Sequence, residues 1–141
     1  MPYTLAKVDE FARTLAGVTT GAKWNTKNWI VNDRGFAWVR PLGKADIGRW
    51  TDGPLPEGEI LGVRVESLDA KDALLSMGLP GFFTIPHFNN YAAILIELRK
   101  ASAKDVKAAL AHGHAAMAAA PPPKKRAKSA KPRSRSPKKR G

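Results

Sequence analysis

The sequence predicts an α+β fold: an antiparallel sheet with helices packed on it, in the order α-β(3)-α-β(2)-α, followed by a disordered basic tail. Strand-like runs follow one another through short turns, which antiparallel pairing allows and parallel pairing does not. Apolar residues recur at helical spacing at the start and near the end, and cap and stop residues mark a short helix in the middle. At Pro121 the composition changes abruptly, so residues 1–120 are assigned to the domain and 121–141 to the tail. A chain of 141 residues is long enough for one modest core.

The first helix carries Leu5, Val8, Phe11, Ala12 and Leu15 on one stripe, with Gly17 placed to stop it. The runs WNTKNWIV and GFAWVRPL flank Asn32–Asp33–Arg34–Gly35 and read as a hairpin. Residues 43–59 hold four glycines and two prolines and read as a long loop. ILGVRVES is the third strand, with Arg64 and Glu66 facing outward. Asp69 is placed to cap a helix running to Met77, with Gly78 as its stop. GFFTIPHF and YAAILIEL are two further strands. A final alanine-rich helix begins at Ser102 with Asp105 as a capping box, and Val106, Leu110 and Met117 form its stripe.

The chain has no cysteine, which removes disulfides, zinc–thiolate sites and cysteine nucleophiles. No stretch reaches the roughly 18 apolar residues of a membrane span. The N-terminal MPYTLAKVDEF lacks an apolar signal core, so a cytoplasmic protein, with the nucleoid as a possible site, is expected. The net charge of +12 is unevenly placed: residues 121–141 carry +10 and residues 1–120 only +2. The tail holds no Leu, Ile, Val, Phe, Tyr or Trp, so it lacks the apolar surface that would offset the entropy of ordering.

The ordered combination of FAWVRPLGKADI and FFTIPHF, with a lysine-bearing helix between them, resembles the MmcQ/YjbR family of small bacterial proteins over residues 3–117. That resemblance implies a secretion-chaperone-like α-β(3)-α-β(2)-α fold and a DNA-binding role. Asn89–Asn90 stands where similar proteins often have Asp-Gly, a change that a tight turn tolerates. The tail is no part of that family's common core.

Chemistry is therefore sought first in the tail. Lys124, Lys125, Arg126, Lys128, Lys131, Arg133, Arg135, Lys138, Lys139 and Arg140 suit phosphate neutralisation with counterion release. SPKK at Ser136–Lys139 resembles the minor-groove motif of linker-histone tails. Full engagement would give a slope of log K against log salt of about −9 on duplex DNA. The bland alternative is a solubilising tail that binds any polyanion.

In the domain, Lys23, Lys27, Arg34 and Arg40 are candidates for a basic wing, while Trp29 and Trp38 are read as packing. Lys44 and Asp46 are read as an ion pair within the long loop. His112 and His114 point about 200° apart on one helix and cannot chelate together. No spacing of acids, no nucleophile motif and no Gly-rich phosphate loop appears, so no catalytic residue, metal or cofactor is expected and the protein is read as non-enzymatic.

His87 is the remaining question. With Asn89–Asn90 as a two-residue turn, His87 would face Ala92 on the sheet face of Phe83, Ile85, Ile94 and Ile96, as a strand end. Contact with a ligand at the hairpin tip is the alternative. The expected partner is DNA, chiefly through the tail, with RNA or a protein as further possibilities and no membrane. A chaperone-like protein-interaction module, using Ala108 through Ala120 as a contact face, is the competing function.

Overall fold

The computed structural model describes residues 3–23, 26–50 and 55–120. The chain runs α1 Leu5–Ala12, β1 Thr19–Lys23, β2 Thr26–Val31, β3 Arg34–Val39, α2 Lys44–Gly48, β4 Ile60–Arg64, α3 Leu68–Ser76, β5 Phe82–Phe83, a 3₁₀ turn Pro86–Phe88, β6 Ala93–Glu97 and α4 Ala103–Ala119. The six strands form one antiparallel sheet in the order β1-β2-β3-β4-β6-β5. The α+β class and the antiparallel sheet are as expected. Strand β1 and helix α2 were not anticipated: TTGAK has no strong strand signal, and α2 lies inside the stretch read as loop.

The β2–β3 turn is tighter than the sequence suggested. Val31 pairs with Arg34, and Asn32 and Asp33 both have positive φ (54° and 61°). That is the two-residue turn whose twist matches the flanking strands, and Asn and Asp are among the few side chains that tolerate it. Helix α1 is capped by the Thr4 hydroxyl, which accepts from the Lys7 N–H, and it ends at Ala12, short of Gly17. Helix α3 is capped by Ser67, which accepts from the Ala70 N–H at 3.0 Å; Asp69 lies in the first turn instead. Ser102 caps α4 as expected, and Val106, Leu110 and Met117 are buried.

A bulge in β3 sets the sheet's two faces apart. Trp29 pairs with Ala37 but Ile30 pairs with Gly35, which leaves Phe36 as an extra residue. Phe36 and Ala37 are consequently both buried in the main core, where strict alternation would have placed one on each face. That core also holds Val8, Trp29, Leu61, Val63, Ile94, Ile96, Val106 and Leu110 under the helices. A smaller cluster on the other face holds Ile60, Ile85, Phe88, Ala93 and Leu95, with Trp38, Leu42, Trp50 and Phe83 against it.

The expected register of the last hairpin is wrong by one residue. Phe83 pairs with Leu95, not Ile96, and Ile85 lies with Ala93 and Leu95 on the face opposite Ile94. Pro86 starts a 3₁₀ turn, and the Phe88, Asn89 and Tyr91 N–H groups bond to Ile85, Pro86 and Phe88 carbonyls. Residues 85–92 are thus a string of tight turns rather than two strands meeting at Asn89–Asn90, and the odd change in length exchanges the faces. His87 is exposed, lines the face opposite the main core, and does not sit on a face with Ile94.

Candidate functional site

Helices α1, α3 and α4 cover one face of the sheet, while the short α2, through Asp46, sits at the rim of the other. On this second face, the strands and the 85–92 turns enclose a groove of about 890 Å³ lined by residues including Gly21, Asn28, Ile30, Arg34, Trp38, Arg40, Arg64, His87 and Tyr91. Its residues come from β1, β2, β3, β4 and the segment that carries His87.

Gly62 of β4 shapes the floor. A Cβ there would lie 2.6 Å from the Trp38 ring, so the indole rests directly on backbone that only glycine leaves open. Trp38 in turn lies 6.1 Å, centroid to centroid, from the Tyr91 ring. The Arg64 guanidinium sits over Tyr91 at 5.0 Å, and its Nη1 reaches the Tyr91 hydroxyl at 3.5 Å. Its Nε is buried without a hydrogen-bond partner, and no carboxylate pairs with Arg64 among the described residues. A guanidinium placed in this way against an aromatic ring, without a carboxylate, is free to pair with an incoming anion.

Arg40 is built differently. It bonds the Asp46 carboxylate at 3.1 Å, and its guanidinium lies 5.7 Å from the Phe88 ring. Asp46 also accepts from the Gly43 N–H at 2.9 Å, which fixes the start of α2. Burial alone would raise the Asp46 pKa; the Gly43 N–H, Arg40 and the nearby His87 outweigh it and hold the carboxyl below its usual value. The expected Lys44–Asp46 pair is not the one that forms: Arg40 takes Asp46, and Lys44 is exposed.

Lys71 holds the groove's far rim in place. It is buried in α3, and its ammonium donates to the carbonyls of Phe88 and Tyr91, the latter at 3.0 Å. Burial lowers its pKa against the smaller opposing effect of Asp72. The cation thereby pins the turns that present His87 and Tyr91.

The basic-wing candidates divide. Arg34 and Arg40 line the groove. Lys27 belongs to the helix side, where it pairs at 3.6 Å with Asp9, which also accepts from the Trp29 indole at 3.0 Å. The Trp29 bond foremost holds the Asp9 carboxyl low, against burial and with help from Arg13 and Lys27. Lys23 lies in β1, its side chain outside the described set, and all ten tail candidates fall in residues 121–141, outside the described residues. Sequence reasoning missed Arg64 and Tyr91 as site residues. The outward position of Arg64 was legible, but its ring partner lies 27 residues away.

His114 has a structural role, its Nε2–H donating to the Ala16 carbonyl at 2.7 Å and its ring edge-on to Phe36. Among the described residues, no group of three His, Cys, Asp or Glu side chains is placed to hold a metal, and no helix is long and apolar enough to cross a membrane. A second groove, about 830 Å³ and mostly apolar, lies between α3 and α4, with Met77 and Leu74 on one wall and Ala108, Ala115 and Met117 on the other.

Fold and site together define a small α+β protein with an arginine–aromatic groove on the sheet face opposite α1, α3 and α4. The chain belongs to the same family as uncharacterized proteins of Mycobacterium tuberculosis and Mycobacterium bovis, each 35% identical over 106 residues that cover 73% of this chain and 81% of the relative. No established family profile matches the chain. No solved structure matches it either.

Proposed function

We propose that this chain is a non-enzymatic DNA-binding protein of the MmcQ/YjbR type that acts in the cytoplasm, at the nucleoid. The observation that carries this reading is the segregation of charge: +10 in residues 121–141 and +2 in all the rest. Cations spread along a polar segment gain affinity by releasing counterions from phosphates, without reading sequence. Supporting it, Asn32 donates to the carbonyls of Met117 and Ala120, which ties the end of α4 to the β2–β3 turn. The basic segment therefore leaves the domain beside Asp33, Arg34 and Gly35, at one end of the groove.

Removing residues 121–141 and titrating a DNA duplex at two salt concentrations tests the assignment. The expected result is the loss of most of the affinity, together with a much flatter dependence on salt. An unchanged affinity and an unchanged salt slope would refute it.

One observation favours a second reading, a protein-interaction module: the apolar groove between α3 and α4, beside which Met77 is 66% exposed. Sedimentation of the chain ending at Ala120 discriminates. A strict monomer that retains no protein from a lysate counts against this reading.

A further inference from the structure

We propose that the sheet face opposite α1, α3 and α4 is a binding groove for single-stranded nucleic acid. In it Arg64, with Arg40 and His87 on the rim, takes phosphates, and Trp38 and Tyr91 offer rings to unpaired bases. This deepens the reading of the protein as a nucleic-acid binder and rests on it, but it concerns the folded domain and a different form of the ligand.

Three features point to this occupant. The first is charge. Arg64 has no carboxylate partner among the described residues, and its Nε is buried without an acceptor. The guanidinium lies 5.0 Å from the centre of the Tyr91 ring with Nη1 directed at the Tyr91 hydroxyl and Nε buried, so contact with a phosphate oxygen would fall to its Nη groups.

The second is the pairing of those cations with rings. Tyr91 is 37% exposed, and Trp38 is only partly covered. A duplex hides the faces of its bases, so its affinity would draw on the arginines and leave the rings idle. A single strand uses both, stacking its bases on aromatic or guanidinium planes while its backbone follows the charge. Gly62 keeps the Trp38 ring flat on the sheet, as a stacking floor requires.

The third is extent and connection. The lining crosses β1 to β4, three interstrand spacings or about 14 Å of floor. That exceeds one nucleotide step, since stacked steps along a strand are about 3.4 Å apart. One end lies at Asp33–Gly35, beside the β2–β3 turn to which Asn32 ties Ala120. A mononucleotide would leave most of this floor unused.

The test uses the full chain. Labelled single-stranded oligothymidylate and a duplex of the same length are titrated into the wild type, Arg64→Lys, Arg64→Gln, Tyr91→Ala and a variant with the ten tail cations replaced by Gln. Tyr91→Ala is expected to weaken single-strand binding about tenfold while changing duplex binding less than about twofold, and Arg64→Gln to weaken the single strand about tenfold and the duplex by less. Arg64→Lys keeps the charge, protects folding and falls between. The tail variant weakens both ligands. If folded Arg64→Lys and Tyr91→Ala bind the single strand as the wild type does, the groove assignment is overturned while the tail reading stands. If the wild type binds neither ligand, both fall. Displacement of the oligothymidylate by a mononucleotide or by polyglutamate at equal phosphate or carboxylate concentration would also overturn it, in favour of a small anion or an acidic peptide.

Discussion

On the helix side of the sheet, Trp29, Phe36, Leu61, Val63, Ile94 and Ile96 are fully covered. On the other side, the same strands present Asn28, Trp38, Gly62 and Arg64. Register makes the contrast explicit: along β4, Leu61 and Val63 enter the main core, as does Val65 just after the strand, while Ile60, Gly62 and Arg64 face away from it. The second face is closed only at its β5–β6 end, by Ile85, Phe88 and Trp50. What remains open carries Arg34, Arg40, Arg64, Trp38 and Tyr91 among its lining residues. Antiparallel sheets commonly leave one face to solvent, so it is the arginines set beside rings, and not the openness, that the binding proposal rests on.

The largest expected effect separates the two tryptophans. Trp29→Ala, on the covered face, should lose about 3–5 kcal/mol in urea denaturation, and it also leaves Asp9 without its indole partner. Trp38→Ala should lose clearly less and should instead impair single-strand binding. If the two stability losses are equal, the contrast between the faces fails.

Gly113 of α4 tests how tightly the helix side is closed. A Cβ there would lie 2.8 Å from the Arg64 carbonyl oxygen and 3.0 Å from Val63. In an open helix Gly→Ala stabilises by roughly 1 kcal/mol. Here Gly113→Ala should destabilise by about 1–3 kcal/mol, because helix and sheet must separate. A stabilising result in thermal unfolding would mean that α4 rides farther from the sheet.

Lys71→Met links the faces. It leaves the Phe88 and Tyr91 carbonyls without their donor and should cost about 1–3 kcal/mol. It should also reduce groove binding, as the Tyr91 turns loosen. The pH dependence has a definite sign. Burial lowers the Lys71 pKa in the folded state, so in the window between that value and about 10.4 the unfolded chain binds more protons. Wild-type stability gains from Lys71 as pH rises through that window, and Lys71→Met should lose that gain.

Asp46→Asn is the smallest of these changes, about 1 kcal/mol, and acts at the groove rim. The Asp46 carboxyl is held low in the folded protein, so its contribution is complete above the ordinary carboxylate value and fades as pH falls through the depressed one. Denaturation of Asp46→Asn in acid should lack that part of the decline. Single-strand affinity should rise slightly, since Arg40 loses its competing anion.

Much of the fold could be read directly. Turn chemistry marked the Asn32–Asp33 hairpin, and spacing marked α1, α3 and α4. What escaped depends on contacts distant in sequence. The β3 bulge puts Phe36 and Ala37 on one side, which no alternation rule reveals. Pro86 suited a strand end, yet it begins a 3₁₀ turn, and that moved His87 from under the helices to a rim near Arg40 and Arg64. Arg40 was a candidate from composition, but its tie to Asp46 required α2 to form inside an apparent loop. Arg64 and Tyr91 meet only because β4 and β6 are neighbours and Lys71 pins the turn between them.

The central claim is that nucleic acid meets the open face and not the helical one. Amide and indole chemical-shift mapping of the full chain with single-stranded oligothymidylate tests it most directly. The account predicts saturating shifts at Trp38, Arg40, Arg64, His87 and Tyr91, with Ala108, His112 and Met77 unmoved. Shifts confined to residues 121–141, or centred on the α3–α4 groove, would contradict it.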